Sequence, residues 1–134
     1  MNKKRIILLI ILVVILAIAL IRFNPLTYSG EDSWIKNEKG AYVKHGDPSE
    51  TPDYVLKQQQ AIEEAVDLYN ETKSEGTIFL SQCLGSTGDY AVDIVHVPRS
   101  DEDNKPENQC QDFINKKVSH FIELDKDGNI VRIV

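Results

Sequence analysis

Apolar positions fall into three regimes along this chain. Ile6 to Ile21 is an unbroken apolar run, built of Ile, Leu and Val except for Ala17 and Ala19, directly behind Lys3, Lys4 and Arg5. Residues 24–33 show no apolar periodicity and hold Pro25, Ser29 and Gly30. From Trp34 onward apolar residues recur with the spacing of a helix in one stretch and of strands in the others.

The first run has the composition of a membrane span. At a rise of 1.5 Å per residue it reaches about 24 Å, somewhat short of a ~30 Å hydrocarbon core. Arg22 snorkelling outward and Phe23 extending the run close most of that gap. Its aliphatic residues favour insertion by roughly 4 to 8 kcal/mol. Basic residues at positions 3 to 5 belong on the cytoplasmic side, so everything after Arg22 is expected outside. The predicted organisation is a single-pass anchor over 1–23, a tether over 24–33 and an extracytoplasmic domain over 34–134, with the lipid bilayer as the first partner. A cleaved signal peptide is the rival, because Ala17-Ile18-Ala19 has the small-x-small form of a cleavage site. Leu20 and Ile21 continue the apolar run beyond that cut. Both readings place the domain outside the cell.

Within the domain, Trp34-Ile35 and Ala41-Tyr42-Val43 flank Asn37-Glu38-Lys39-Gly40, which predicts a hairpin over 34–44. Thr51-Pro52-Asp53 is a helix start, with Thr51 as N-cap, Pro52 at the first helical position and an acid in the first turn. Val55, Ile62, Ala65, Val66 and Tyr69 fall on one face of that helix, with Gln58, Glu63, Glu64 and Glu71 elsewhere, and Gly76 ends it. Four strands are predicted next, over Thr77–Leu84, Tyr90–Val97, Lys117–Leu124 and Asn129–Val134. Gly85-Ser86-Thr87-Gly88 reads as the first turn, and Asp127-Gly128 between alternating apolar residues is a strong hairpin signal. Residues 98–108, with the run Asp101-Glu102-Asp103-Asn104, read as a polar, mobile loop. The expected fold is α+β: one helix packed on a three- to four-stranded antiparallel meander, resembling in outline the cystatin-like and PepSY-like folds.

Charge and cysteine usage narrow the function classes. All 21 acidic residues follow position 22, whereas Lys3, Lys4, Arg5 and Arg22 are four of the 15 basic ones. The exported part is therefore strongly anionic, which argues against nucleic acid as a partner. Cys83 and Cys110 both lie in it, where disulfides persist, and pairing them adds roughly 3 to 4 kcal/mol by the chain-entropy model.

Trp34-Ile35, followed after four residues by Gly40-Ala41-Tyr42-Val43-Lys44-His45-Gly46-Asp47-Pro48, is similar to a stretch in small uncharacterised membrane-anchored proteins of archaea and uncultured bacteria. In that group an aromatic residue precedes Val-Lys-His-Gly-x-Pro, and Tyr42 fills that place. The group usually carries a Cys just after the Trp-Ile pair. Lys36 stands there in this chain, so any extra bridge is lost. The resemblance implies export and a similar architecture, and it implies no activity.

Few residues carry candidate chemistry. Glu123 to Ile130 imitates part of a calcium loop, but its twelfth position is Val134 where a bidentate Glu is needed, so a hairpin turn is expected. His96 and His120 lie in neighbouring predicted strands near Asp93 and Glu123, and a suitable register would assemble two imidazoles and carboxylates into a metal or acid/base site. The alternation pattern equally suits half-buried sheet histidines. Asn70-Glu71-Thr72 fits a glycosylation acceptor. No nucleophile elbow or phosphate loop occurs, and no cofactor is expected. The expectation is thus a membrane-tethered, non-catalytic binding or accessory module, with an envelope protein as partner. Its surfaces would be Trp34 and Tyr42 on the hairpin and Asp101, Glu102 and Asp103 in the acidic loop. An exported enzyme or metal site on His96, His120, Asp93 and Glu123 is the alternative.

Overall fold

The computed structural model describes residues 32–134. The predicted span Ile6–Ile21 and nearly all of the tether lie outside them. Among the described residues no helix is long and apolar enough to cross a membrane.

Strands β1 (Ser33–Lys36) and β2 (Tyr42–His45) form the expected antiparallel hairpin. Asn37 shapes its turn: the side-chain oxygen accepts from the amides of Lys39 at 2.9 Å and Ala41 at 3.0 Å. Gly40 sits at φ +84°, and a Cβ there would come 2.1 Å from the carbonyl oxygen of Ile133. That close approach lets the Ile133 amide donate to Lys39 O at 2.7 Å, tying the hairpin to the last strand.

Helix α1 (Asp53–Ser74) begins one residue later than its sequence signals imply. Pro52, not Thr51, is the N-cap; its carbonyl accepts from Val55 at 2.9 Å, and no side chain caps the end. Gly76 terminates the helix at φ +82°. The buried face is Val55, Gln58, Ala61, Ala65 and Tyr69, a spacing of three and four residues. Ile62 and Val66, placed on that face from the sequence, are only half-buried. Gln58 is fully inside, against expectation.

The sheet runs β3 (Gln82–Thr87), β4 (Tyr90–Ile94), β5 (His120–Leu124) and β6 (Ile130–Ile133), adjacent in chain order. Its outer pairs are antiparallel, but β4 and β5 are parallel, with Ala91 opposite Phe121 and Asp93 opposite Glu123. The antiparallel meander, and with it the cystatin- or PepSY-like outline, is therefore corrected to a mixed sheet. The connection from Val95 to Ser119 is the physical reason. It is too long for a hairpin and instead crosses over the sheet, as a parallel pair requires. It contains 3-10 turns at Asp101–Asn104 and Pro106–Asn108 and a short helix α2 (Gln111–Ile114).

Each face of the sheet has its own core. Tyr90, Val92, Ile94, Ile122, Leu124 and Ile133 pack against Ala61, Ala65 and Tyr69 of α1. On the other face Ala91 packs with Cys110, Val118, Phe113 and Phe121, so the crossover covers it. The Cys83–Cys110 disulfide is formed, with Cα atoms 4.8 Å apart, and ties that crossover to β3. Residues 77–81 are not a strand: Ile78 and Leu80 are 80% and 63% exposed, and of their large apolar residues only Phe79 packs, stacked on Tyr69 at 4.7 Å. Gly85-Ser86-Thr87 continues β3 past a bulge, leaving Gly88-Asp89 as the turn.

The Asp-Gly hairpin forms as read. Asp125 accepts from the amides of Asp127 and Asn129, both at 2.9 Å, so its carboxylate is spent on the turn. Tyr69 donates to Lys126 O at 2.9 Å and holds the turn on the helix. A Cβ on Gly128 would sit 2.6 Å from the Tyr69 ring.

Candidate functional site

Two concave sites lie on opposite faces of the sheet. The larger, about 440 Å³, is a groove between the hairpin, the first half of α1 and the start of the sheet. Strand β2 contributes Tyr42, helix α1 contributes Tyr54, Lys57 and Gln58, and the ends of β4 and β5 contribute Tyr90 and His120. Tyr42 and Tyr54 meet edge to face at 4.9 Å, and Tyr90 stacks on His120 at 4.9 Å. Gln58 builds this wall: its Oε1 accepts from the Tyr42 amide at 2.7 Å and its Nε2 donates to Gly40 O at 3.1 Å. A glutamine on the buried face of α1 thus substitutes for a missing strand partner and fixes the hairpin on the helix.

The groove's carboxylates are engaged and its lysines are at the rim. Glu64 is held below the ordinary carboxyl range by the hydroxyl of Thr87 and the amide of Gln60. Asp89 is lowered chiefly by the Ser119 backbone amide, with the His120 ring 3.0 Å away. Burial pushes the Tyr90 phenol up. Lys36 lies 5.3 Å over the Tyr42 ring, and Lys57 lines the opening. Aromatic faces with polar tips around an apolar floor bind a ring or an apolar side chain and fix its orientation.

The second cavity, about 170 Å³, lies on the crossover side. The parallel register sets Asp93 beside Glu123 there. Glu123 is 4% exposed and neutralised by two guanidinium groups: Arg132 bonds it at 3.0 and 3.1 Å, and Arg99 closes on it from the crossover. Asp93 has no such partner. Burial first, and the charge of Glu123, push its carboxyl up to about 6 against the pull of the Cys110 amide and Arg99. Its Oδ1 is buried without a protein hydrogen bond.

The histidine cluster does not assemble. His120 pairs in register with Tyr90 at the start of the parallel pair, whereas His96 lies beyond the end of β4. Six residues of strand separate those points, about 20 Å at strand rise. His120 is bonded to Asp89, and His96 lies 2.9 Å from Asp103. Among the described residues the one cluster with metal-ligand proximity is Cys83, Asp93 and Cys110, and its two cysteines are already bonded to each other.

Asp103 also leaves the acidic surface expected of its loop. At 4% exposure it accepts from the amides of Ser100 at 2.7 Å and His96 at 3.1 Å. Burial opposes its charge, but these bonds and the His96 ring outweigh it and hold the carboxyl well below the usual range. Asp101 and Glu102 are exposed, as expected. Trp34 is half-buried, its indole N–H donating to Glu50 O at 3.0 Å, and Tyr42 belongs to the groove. Tyr54, Gln58, Tyr90, Arg99 and Arg132 escaped the sequence reading. Only Arg132 had a usable signal, since the Asp-Gly hairpin sets it across from Glu123. No protein-family model, curated protein or solved structure matches this chain.

Proposed function

We propose that this protein is a membrane-tethered, extracytoplasmic binding module without catalysis, and that the groove lined by Tyr42, Tyr54, Tyr90 and His120 receives an apolar or aromatic side chain of an envelope protein partner. The groove carries the reading. Its volume of about 440 Å³ falls within the range of ligand sites, and tyrosines are over-represented among residues that dominate binding energy. The Ile6–Ile21 run, the similarity of Trp34–Pro48 to small membrane-anchored proteins and the Cys83–Cys110 bridge support an exported location. The anionic exported part keeps nucleic acid off the list of partners.

A photo-crosslinking residue at position 54, introduced into the full chain in its native membrane, tests the reading. A discrete protein adduct is expected, and it should be lost when Tyr90→Ala removes the groove floor. Crosslinking to lipid alone, or an adduct insensitive to Tyr90→Ala, refutes the groove as the binding site. Domain residues protected from protease added outside the cell refute the location.

A further inference from the structure

The disulfide joins two sulfurs in unlike surroundings. Cys83 is exposed on the edge strand β3, whereas Cys110 is 1% exposed on the inner side of the crossover, against the sheet. Around the Cys110 sulfur lie acceptors: the carbonyl oxygens of Gly85 at 3.3 Å and of Val92 at 3.4 Å. A carboxylate oxygen of Asp93 is within 4.8 Å of both sulfurs, and Asp93 Oδ1 is buried without a hydrogen bond. Two carbonyl dipoles and a carboxylate repel a thiolate but accept a hydrogen bond from a thiol. Cys110 is therefore a poor leaving group as an anion and a good one if it departs with a proton.

We propose that Cys83–Cys110 is a thiol-exchange site, in which a small external thiolate attacks Cys83 Sγ while the Asp93 carboxyl delivers its proton to the departing Cys110 sulfur. A bond forms between the external sulfur and Cys83 Sγ, and the Cys83–Cys110 bond breaks. Its electron pair goes to Cys110 Sγ, which takes the Asp93 proton. The products are a mixed disulfide on Cys83, a Cys110 thiol whose single S–H has the Gly85 and Val92 carbonyls within reach, and an Asp93 carboxylate that recovers its proton from solvent. A second external thiolate then attacks the external sulfur of the mixed disulfide and releases Cys83. In sum, one protein disulfide is reduced and two small thiols are oxidised to their disulfide.

The groups around Asp93 set when the proton is available. Glu123 from β5 is a like charge beside it in register, and Arg99 from the crossover opposes that charge while also pairing with Glu123. Arg132 from β6 and Asp103 from the crossover line the same cavity, each already bound, to Glu123 and to the Ser100 and His96 amides respectively. Burial and Glu123 prevail, so Asp93 holds its proton up to about pH 6.

The full chain treated with 2-mercaptoethanol, quenched in acid and mapped by mass spectrometry, tests the regiochemistry. The adduct is expected on Cys83, and an adduct on Cys110 overturns the proposal. The second measurement is the exchange rate divided by thiolate concentration. Above Asp93's midpoint the wild-type value should fall by about tenfold per pH unit until an unassisted path takes over, while Asp93→Asn gives a flat profile. Parallel profiles for the two proteins overturn the role of Asp93. Exchange no faster than global unfolding, measured by hydrogen exchange on the oxidised wild type, overturns the site itself.

Discussion

Replacing Asp93 by Asn should stabilise the protein at neutral and alkaline pH and leave it nearly unchanged in acid. A carboxyl at 3.8 when exposed and about 6 when folded differs by about 3 kcal/mol between its two protonation states. The sign follows from proton binding. Between about pH 4 and 6 the folded state holds a proton that the unfolded state has lost, so stability falls as pH rises through that window. Above it the full cost of a charged Asp93 is carried, and below it none is. Water reaches part of this carboxyl, so the expected gain for Asp93→Asn is about 1 to 2 kcal/mol at alkaline pH rather than the full amount. Asn also removes the like charge beside Glu123 while keeping nearly the same shape. Urea unfolding of the full chain and the variant, at a pH below 4 and again above 7, measures the difference through the midpoint at constant slope. A variant less stable than wild type at the alkaline pH, or a gain of equal size at both, would refute the assignment of a desolvated, unpaired carboxyl.

Four further outcomes follow from particular contacts. Gln58→Leu keeps most of the packing volume but strands the Tyr42 amide and the Gly40 carbonyl, and should cost about 2 to 3 kcal/mol in the same unfolding assay. Gly128→Ala combines φ +85° with a Cβ 2.6 Å from the Tyr69 ring, and a loss above about 1 kcal/mol is expected, read as a lower melting temperature. Glu123→Gln leaves Arg99 and Arg132 without their shared anion; about 2 to 4 kcal/mol should be lost, and unchanged stability would mean that solvent already screens the pair. Asp103 contributes stability that is complete above the usual carboxyl range and is lost as pH falls through its depressed folded value. Asp103→Asn should therefore weaken the acid-side slope of a pH–stability curve.

Local signals in the chain were strong where short-range chemistry decides structure. Thr51 to Gly76 announces a helix through its caps and periodicity, and the helix forms within two residues of those ends. Asp127-Gly128 demands a hairpin because only a turn with positive φ at Gly128 joins the flanking strands. The hairpin flanking Asn37–Gly40 is of the same kind. Thr77–Ser81 misled for an equally physical reason. β-branched and aromatic residues favour strands only when a partner strand is available, and none lies beside Ile78 and Leu80.

The sequence alone therefore determined the order of the hairpin, the long helix and the four sheet strands, the anionic balance and the pairing of its two cysteines, because each depends on neighbours in the chain or on composition; the short helical turns of the crossover carried no such signal. Tertiary structure alone decided that β4 and β5 run parallel, since strand direction is set by where the crossover packs and not by the residues within either strand. That choice separates His96 from His120 and sets Asp93 beside Glu123, and the crossover brings Arg99 onto the carboxylate that the β5–β6 hairpin already pairs with Arg132. Gln58 makes the same point on the helix. Its polarity placed it outside, but two unpaired backbone groups on the hairpin made the inside the place where its hydrogen bonds are satisfied.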